Sequence, residues 1–241
     1  QETRERIQEI IKEYNYEPNT FARLNARESN VIGVVVPTLN SKVTGRVITS
    51  IDRYLRNQGY ETLIKNSDHD SELELKNIQR LISLNVDGIL FSAITLTKAH
   101  RKLLANCGIP VVVLAQDWEE GIAVVDDDYS AGRRIGEYIG KNHPQRVAYI
   151  GVGEADAAVG IQRKKGVLDG LESCGVPEPL VVTGDYSYES GQESMKKILN
   201  SGPVDAVICA TDRLAYGAYR ILQQAGLRIP EDVSVAGFGG Y

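Results

Sequence analysis

The feature that most constrains this chain is a unit that recurs from about Val31 onward. Each unit is a short unbroken run of β-branched and aliphatic residues, a turn, then an amphipathic helical stretch. The runs are Ile32-Gly33-Val34-Val35-Val36, Glu61-Thr62-Leu63-Ile64, Gly88-Ile89-Leu90-Phe91, Val111-Val112-Val113-Leu114, Arg146-Val147-Ala148-Tyr149-Ile150, Leu180-Val181-Val182, Ala206-Val207-Ile208-Cys209 and Val233-Ser234-Val235-Ala236. Runs that do not alternate with polar residues belong to strands buried on both faces, hence to a parallel sheet covered by helices. Helical patterns such as Leu73-Leu75-Ile78-Leu81-Ile82 lie between them, and Gly59, Gly108, Gly175 and Gly226 stand where a helix should stop. The fold class is therefore α/β. Eight units exceed one compact sheet, so the expectation is two doubly wound parallel-sheet lobes over 30–127 and 128–241. The segment Asp117 to Ser130 breaks the rhythm and reads as the crossing between lobes. In such folds small molecules bind in a cleft at the carboxyl ends of the strands.

The opening stretch differs. Residues 2–14 put Ile7, Ile10, Ile11 and Tyr14 on one helical face, and Pro18 then breaks the helix. Thr20 to Glu28 can form a short helix with little apolar surface, which orders only against a partner. Charge names no partner: 27 Lys and Arg against 32 Asp and Glu leave a net -5. No apolar run approaches the roughly 18 residues needed to span a bilayer, and the chain opens without a leader pattern, so a cytoplasmic protein without membrane contact is expected. Cys107, Cys174 and Cys209 are scattered, and His69, His100 and His143 lie far from them and from one another, so neither a disulfide scaffold nor a metal site is expected.

Enzyme motifs are missing as well. There is no P-loop, no G-x-S-x-G and no HExxH, and Gly151-Val152-Gly153 lacks the third glycine of a dinucleotide fingerprint. The expectation is a protein that is no enzyme and carries no cofactor. Asp126-Asp127-Asp128 reads first as a solvated junction, with one carboxylate facing the cleft as the alternative.

Several stretches, taken in order, resemble the LacI/GalR family of sugar-responsive transcription repressors. Glu2 to Ile7, Tyr16-Glu17-Pro18-Asn19 and Ala22-Arg23-Leu24 resemble its last headpiece helix (1–17) and its hinge helix (18–29). Ile32 to Pro37, Asp87 to Leu90 and Gly108 to Val112 resemble strands of its first lobe. Arg163-Lys164-Lys165-Gly166, Thr211 to Ala218 and Ile229 to Phe238 resemble its second lobe. Against that pattern the chain begins after the first two headpiece helices and stops before the return to the first lobe. The resemblance implies a homodimer whose paired hinge helices enter the minor groove of operator DNA and wedge a base step open. Leu24 is the leucine available for that wedge. Asn25 is the alternative by counting from Pro18, and packing of Leu24 on the partner hinge is the other reading. Thr3 and Asn19 match phosphate-contacting positions, although both also suit a helix cap or a turn.

The resemblance also implies a sugar or sugar phosphate as effector. Arg163 matches an arginine that reaches the cleft, with a surface arginine of the basic Arg163-Lys164-Lys165 run as the alternative. Tyr186 matches an aromatic that stacks on the sugar while its hydroxyl bonds a ring hydroxyl, with a packing tyrosine at a helix start as the alternative. Thr211 and Asp212 follow a strand and open a helix, as cap or as ligand contact. Gln116, Asp117 and Asp127 fall at the crossing. Val43 and Thr44 stand where many relatives carry two phenylalanines, Gly239-Gly240 replaces a carboxylate common in relatives, and Lys42 with Arg163 could hold a phosphate. In the family, the effector biases the lobes and thereby the hinge. The rival reading is a periplasmic-type sugar receptor of the same fold. If the resemblance holds, this chain alone shows no preference for one DNA sequence in a mobility-shift titration. Affinity for one operator well above that for random DNA would contradict it.

Overall fold

The computed structural model describes residues 2–14 and 29–240. The expected hinge positions Asn19, Arg23 and Leu24, with Asn25, lie outside the described residues. Helix α1 spans Glu2–Glu13, as the sequence spacing predicts, and Thr3 is exposed on it. The chain enters the body at Ser29, which is 1% exposed. Its amide and hydroxyl donate to Asp87 Oδ1 at 2.8 and 3.0 Å, and the Asn30 amide donates to Asp87 Oδ2 at 2.8 Å.

Two compact units follow. The first holds strands β1 (Val31–Val36), β2 (Glu61–Asn66), β3 (Gly88–Ser92), β4 (Val111–Leu114) and β5 (Ile122–Val124) in the order β2-β1-β3-β4-β5. Its helices are α2 (Lys42–Asn57), α3 (Ser71–Ser83) and α4 (Lys98–Ala105). Strand β1 pairs in parallel with both β2 and β3, and four of its valines are buried, as an unbroken apolar run requires. The second unit holds β6 (Val147–Val152), β7 (Leu180–Gly184), β8 (Ala206–Cys209) and β9 (Ser234–Ala236) in the order β7-β6-β8-β9, all joined in parallel. Its helices are α5 (Asp128–Gly140), a π-helix (Ala157–Arg163) continued by α6 (Lys164–Ser173), α7 (Tyr188–Ser201) and α8 (Asp212–Gln224).

Two features differ from the sequence expectation. The stretch taken as a plain crossing contains β5, too short and too exposed to show as an apolar run; Ile122 and Val124 are 64% and 59% exposed. Residues 93–96 and 114–119, the turns that follow β3 and β4, group with the second unit, so the chain passes between units at several points. The expected glycine stops are present: Gly59, Gly108, Gly175 and Gly226 all have φ between 73° and 83°.

The second unit is centred on wholly buried Tyr149, Ile150, Ile208, Leu214 and Leu222, with Met195 and Ile198 from α7. Its helices pack backbone to backbone. A Cβ added at Gly132 or Gly136 of α5 would overlap the carbonyl of Arg163 or Val167, and one at Gly166 or Gly170 of α6 would overlap that of Tyr129 or Arg133. Gly191 of α7 and Gly217 of α8 make the same kind of approach, to the carbonyls of Leu214 and Tyr188. The α5–α6 contact is closed further by the Tyr129 hydroxyl, which donates to Asp169 Oδ2 at 2.8 Å.

Substituting Gly136→Ala should therefore destabilise the protein by about 1–3 kcal/mol through overpacking, despite alanine's better helix propensity. Gly45→Ala on α2, where a Cβ meets nothing within 4 Å, should instead stabilise by about 0.5–1 kcal/mol. Urea denaturation of the two variants checks the contrast.

Candidate functional site

Strands β6, β7, β8 and β9 run in parallel, so their carboxyl ends open onto one edge of the second unit. The segments leaving that edge bring together groups far apart in sequence. After β6 comes the loop that ends in Asp156, after β7 Tyr186, after β8 the carbonyl of Ala210, and after β9 Phe238.

Arg163 is the last residue of the π-helix, a rare element that recurs at functional sites because its wider turn re-aims side chains. Its Nε donates to Asp128 Oδ1 at 2.7 Å, its Nη2 forms an ion pair with the same oxygen, and its Nη1 donates to the Ala210 carbonyl at 2.7 Å. The guanidinium carbon stands 4.7 Å from the centre of the Phe238 ring. The two charged side chains are 16% and 9% exposed, so this is a largely desolvated pair whose separation would leave a buried charge.

A second network lies on the same edge. Asp156, 7% exposed, caps the π-helix by accepting from the Val159 amide at 2.9 Å. It also accepts from Gln116 Nε2 at 3.1 Å and from the Tyr186 hydroxyl. Burial, then the neighbouring Asp156 carboxylate, pushes the Tyr186 phenol well above its ordinary range, so it stays a neutral donor. Tyr149 beneath is wholly buried, and its hydroxyl has no hydrogen-bond partner among the described residues. Burial pushes its phenol well above the ordinary range too, with Arg163 acting against that shift.

The structure thus brings Arg163, Tyr186 and Gln116 together in one unit. Thr211 is the cap of α8, its Oγ1 accepting from the Leu214 amide at 3.3 Å. The Asp212 amide donates to the Phe238 carbonyl at 2.8 Å, which ties the post-β9 loop to α8. A Cβ on Gly237 would lie 2.6 Å from Asp212 Oδ1, so a larger residue there would displace the Asp212 carboxylate. Asp127 is exposed and caps α5 through the Ser130 amide at 3.0 Å; hydrogen bonds from Ser130 hold its carboxyl below the usual range. Asp117 is exposed. Val43 and Thr44 belong to the first unit, in the first turn of α2, with Val43 44% exposed and the Thr44 amide donating to Ser41 Oγ at 3.3 Å.

Three members were not singled out from sequence: Asp128, Asp156 and Phe238. Asp128 sat inside a run taken as solvated, and burial separates it from exposed Asp126 and Asp127. Asp156 shows locally only as a helix cap, with Tyr186 and Gln116 lying 30 and 40 residues away, and Phe238 ends a stretch that carries the family resemblance without a sign of its contact to distant Arg163. The expected role for the Tyr186 hydroxyl also changes. Its O–H is donated to Asp156, and the ring packs against the core of the second unit. Among the described residues, no group of three or more His, Cys, Asp or Glu side chains is arranged to hold a metal ion. Two open surface hollows of about 350 and 340 Å³ lie at the opposite, amino end of the same sheet, beside Val147 and Ala206. Every charged side chain lining them is exposed.

Residues 29–241 match the family model described as periplasmic binding proteins and the sugar binding domain of the LacI family. The chain belongs to the LacI family. It is 29% identical over 240 residues to the sucrose operon repressor of Staphylococcus xylosus, covering 99% of this chain and 74% of that one. With catabolite control protein A of Staphylococcus epidermidis the identity is 30% over 246 residues, covering 98% and 73%. Among solved structures it is similar to the transcription regulator CcpA of Lactococcus lactis, with a TM-score of 0.77 at 27% identity over 86% of this chain and 78% of that one. It is also similar to a transcriptional regulator CelR–cellobiose complex, with a TM-score of 0.77 at 26% identity over 98% and 73%. The chain therefore has the two parallel-sheet α/β lobes of LacI-family regulators and is itself the core of such a transcriptional regulator. No helix among the described residues is long and apolar enough to cross a membrane.

Breaking one partner of the Arg163–Asp128 pair strands the other. Arg163→Ala should cost about 3–5 kcal/mol of stability, and the double change with Asp128→Ala should cost less than the single one. Denaturation of the three variants gives the comparison. A double variant less stable than Arg163→Ala would contradict the buried-pair reading.

Proposed function

We propose that this LacI-family core binds a sugar effector at the carboxyl edge of the second unit and that occupancy sets the affinity of a homodimeric cytoplasmic repressor for its operator. The observation that carries this reading is the convergence of Arg163, Tyr186 and Phe238 from three different strand ends. A guanidinium fork with an aromatic face is the pairing that suits a pyranose, which presents hydroxyls at its rim and C–H groups on its faces. In this reading Gln116 holds Asp156 in place, while Thr211 and Asp212 set the floor through α8 and the Phe238 loop. Val43, Thr44, Asp117 and Asp127 are further effector contacts by family position. Thr3, Asn19, Arg23 and Leu24 are assigned to DNA by the same reasoning.

Relatives support the regulatory side. One is named a sucrose operon repressor, and another was solved with cellobiose. A coupling of about 1–3 kcal/mol between the sites changes operator affinity roughly 5- to 150-fold, and only a ligand that distinguishes the two states can produce it.

The test has two arms. In a thermal-shift screen of mono- and disaccharides, a ligand at 100 times its Kd adds about 2.7 kcal/mol of apparent stability. The ligand found should then shift operator binding by a version of the protein extended to the length of its relatives. Sugar binding that leaves operator affinity unchanged would favour a receptor of the periplasmic type, and loss of no affinity in Tyr186→Ala would remove the site assignment.

A further inference from the structure

The charge around Arg163 says more about the effector than the presence of an arginine does. An anion-binding arginine is ordinarily left with its fork free. Here Asp128 takes two of the guanidinium nitrogens and the Ala210 carbonyl takes the third, so the cation is neutralised inside the protein. The same edge carries a second buried carboxylate, Asp156. Lys164, which follows Arg163, is paired with Glu154 at 2.5 Å, and Lys42 and Arg213 have interactions of their own.

Helix starts would be the other place for a phosphate, because their amides and dipoles favour negative charge. Each helix that starts at this edge is already capped by the chain's own oxygen. Asp127 caps α5, Asp156 caps the π-helix, Ser187 caps α7 and Thr211 caps α8. Two of those caps are carboxylates, and Asp128 and Asp212 occupy the first turns of α5 and α8. What remains for a ligand is spare N–H donors on a neutralised guanidinium and carboxylate acceptors. A hydroxyl can both donate and accept and so satisfies that set, whereas a phosphate dianion only accepts and meets the carboxylates as like charges.

We propose that the site selects an uncharged, hydroxyl-rich ligand over its phosphorylated form, and that Asp128 sets that preference by neutralising Arg163. This rests on the reading of this edge as the effector site and narrows it to one chemical class.

The experiment is calorimetric titration of this chain with three pairs of probes: glucose, sucrose and cellobiose, each against its 6-phosphate, with inorganic phosphate alongside. The free sugar of the pair that binds should bind at least about tenfold tighter than its ester, and inorganic phosphate should give no heat. In Asp128→Asn the gap should narrow by about tenfold, since Arg163 regains an unopposed charge. Near-ultraviolet circular dichroism establishes that the variant is folded, and the wild-type comparison stands without it. An ester or inorganic phosphate that binds tighter than the free sugar overturns the proposal, with the site itself upheld. An unchanged gap in folded Asp128→Asn overturns the role of Asp128. If no member of any pair binds, the effector-site reading fails and the proposal falls with it.

Discussion

The second unit is organised around one desolvated ion pair, Arg163 with Asp128, and around the helix contact that makes it possible. The two residues sit at the start of α5 and at the junction of the π-helix with α6. They meet only because Gly132, Gly136, Gly166 and Gly170 let those helices approach until backbone touches backbone. A side chain on any of these glycines would push the helices apart by the width of a methyl group and separate the pair. Packing, electrostatics and the site are here a single arrangement. The close helix contact excludes water, and exclusion of water makes the paired charges interdependent. The guanidinium held in this way reaches the Ala210 carbonyl and the Phe238 ring, tying the ends of β8 and β9 to the π-helix.

Asp156 plays the matching part for the neutral half of the site. One carboxylate caps the π-helix, receives the Tyr186 hydroxyl and holds Gln116, so three separate segments are set by a single buried acceptor. Such a residue carries little information about ligand identity by direct contact. It fixes where the tyrosine ring and the π-helix stand, which is what a ligand with an apolar face and a polar rim would read.

How much of this was legible in the sequence follows from physical range. Strands β1, β3, β6 and β8 were plain, because burial on both faces leaves an unbroken apolar signature. Strand β5 was not, because three residues at a sheet edge, two of them exposed, need no such signature. Helix stops at Gly59, Gly108, Gly175 and Gly226 were legible from the left-handed turn each must make. The glycines inside α5 and α6 look like ordinary weak helix positions until the partner helix is seen. Arg163 and Tyr186 were reached through family resemblance. Asp128 and Asp156 were not, because what distinguishes them is burial against partners 35 and 30 residues away, which leaves no local mark. The Tyr186 hydroxyl was expected to face a sugar for the same reason: Asp156 is invisible from the neighbourhood of Tyr186 in sequence.

Membership of the LacI family sets the fold and the regulatory role, and the edge chemistry supports the proposed placement of an effector there. Hydrogen exchange with and without a bound sugar measures that placement most directly. Slowed exchange should concentrate in the segments that leave the strand ends, around 153–163, 184–188, 209–212 and 236–238. Protection confined instead to 143–147 and 201–206, at the amino end of the same sheet, would contradict the account.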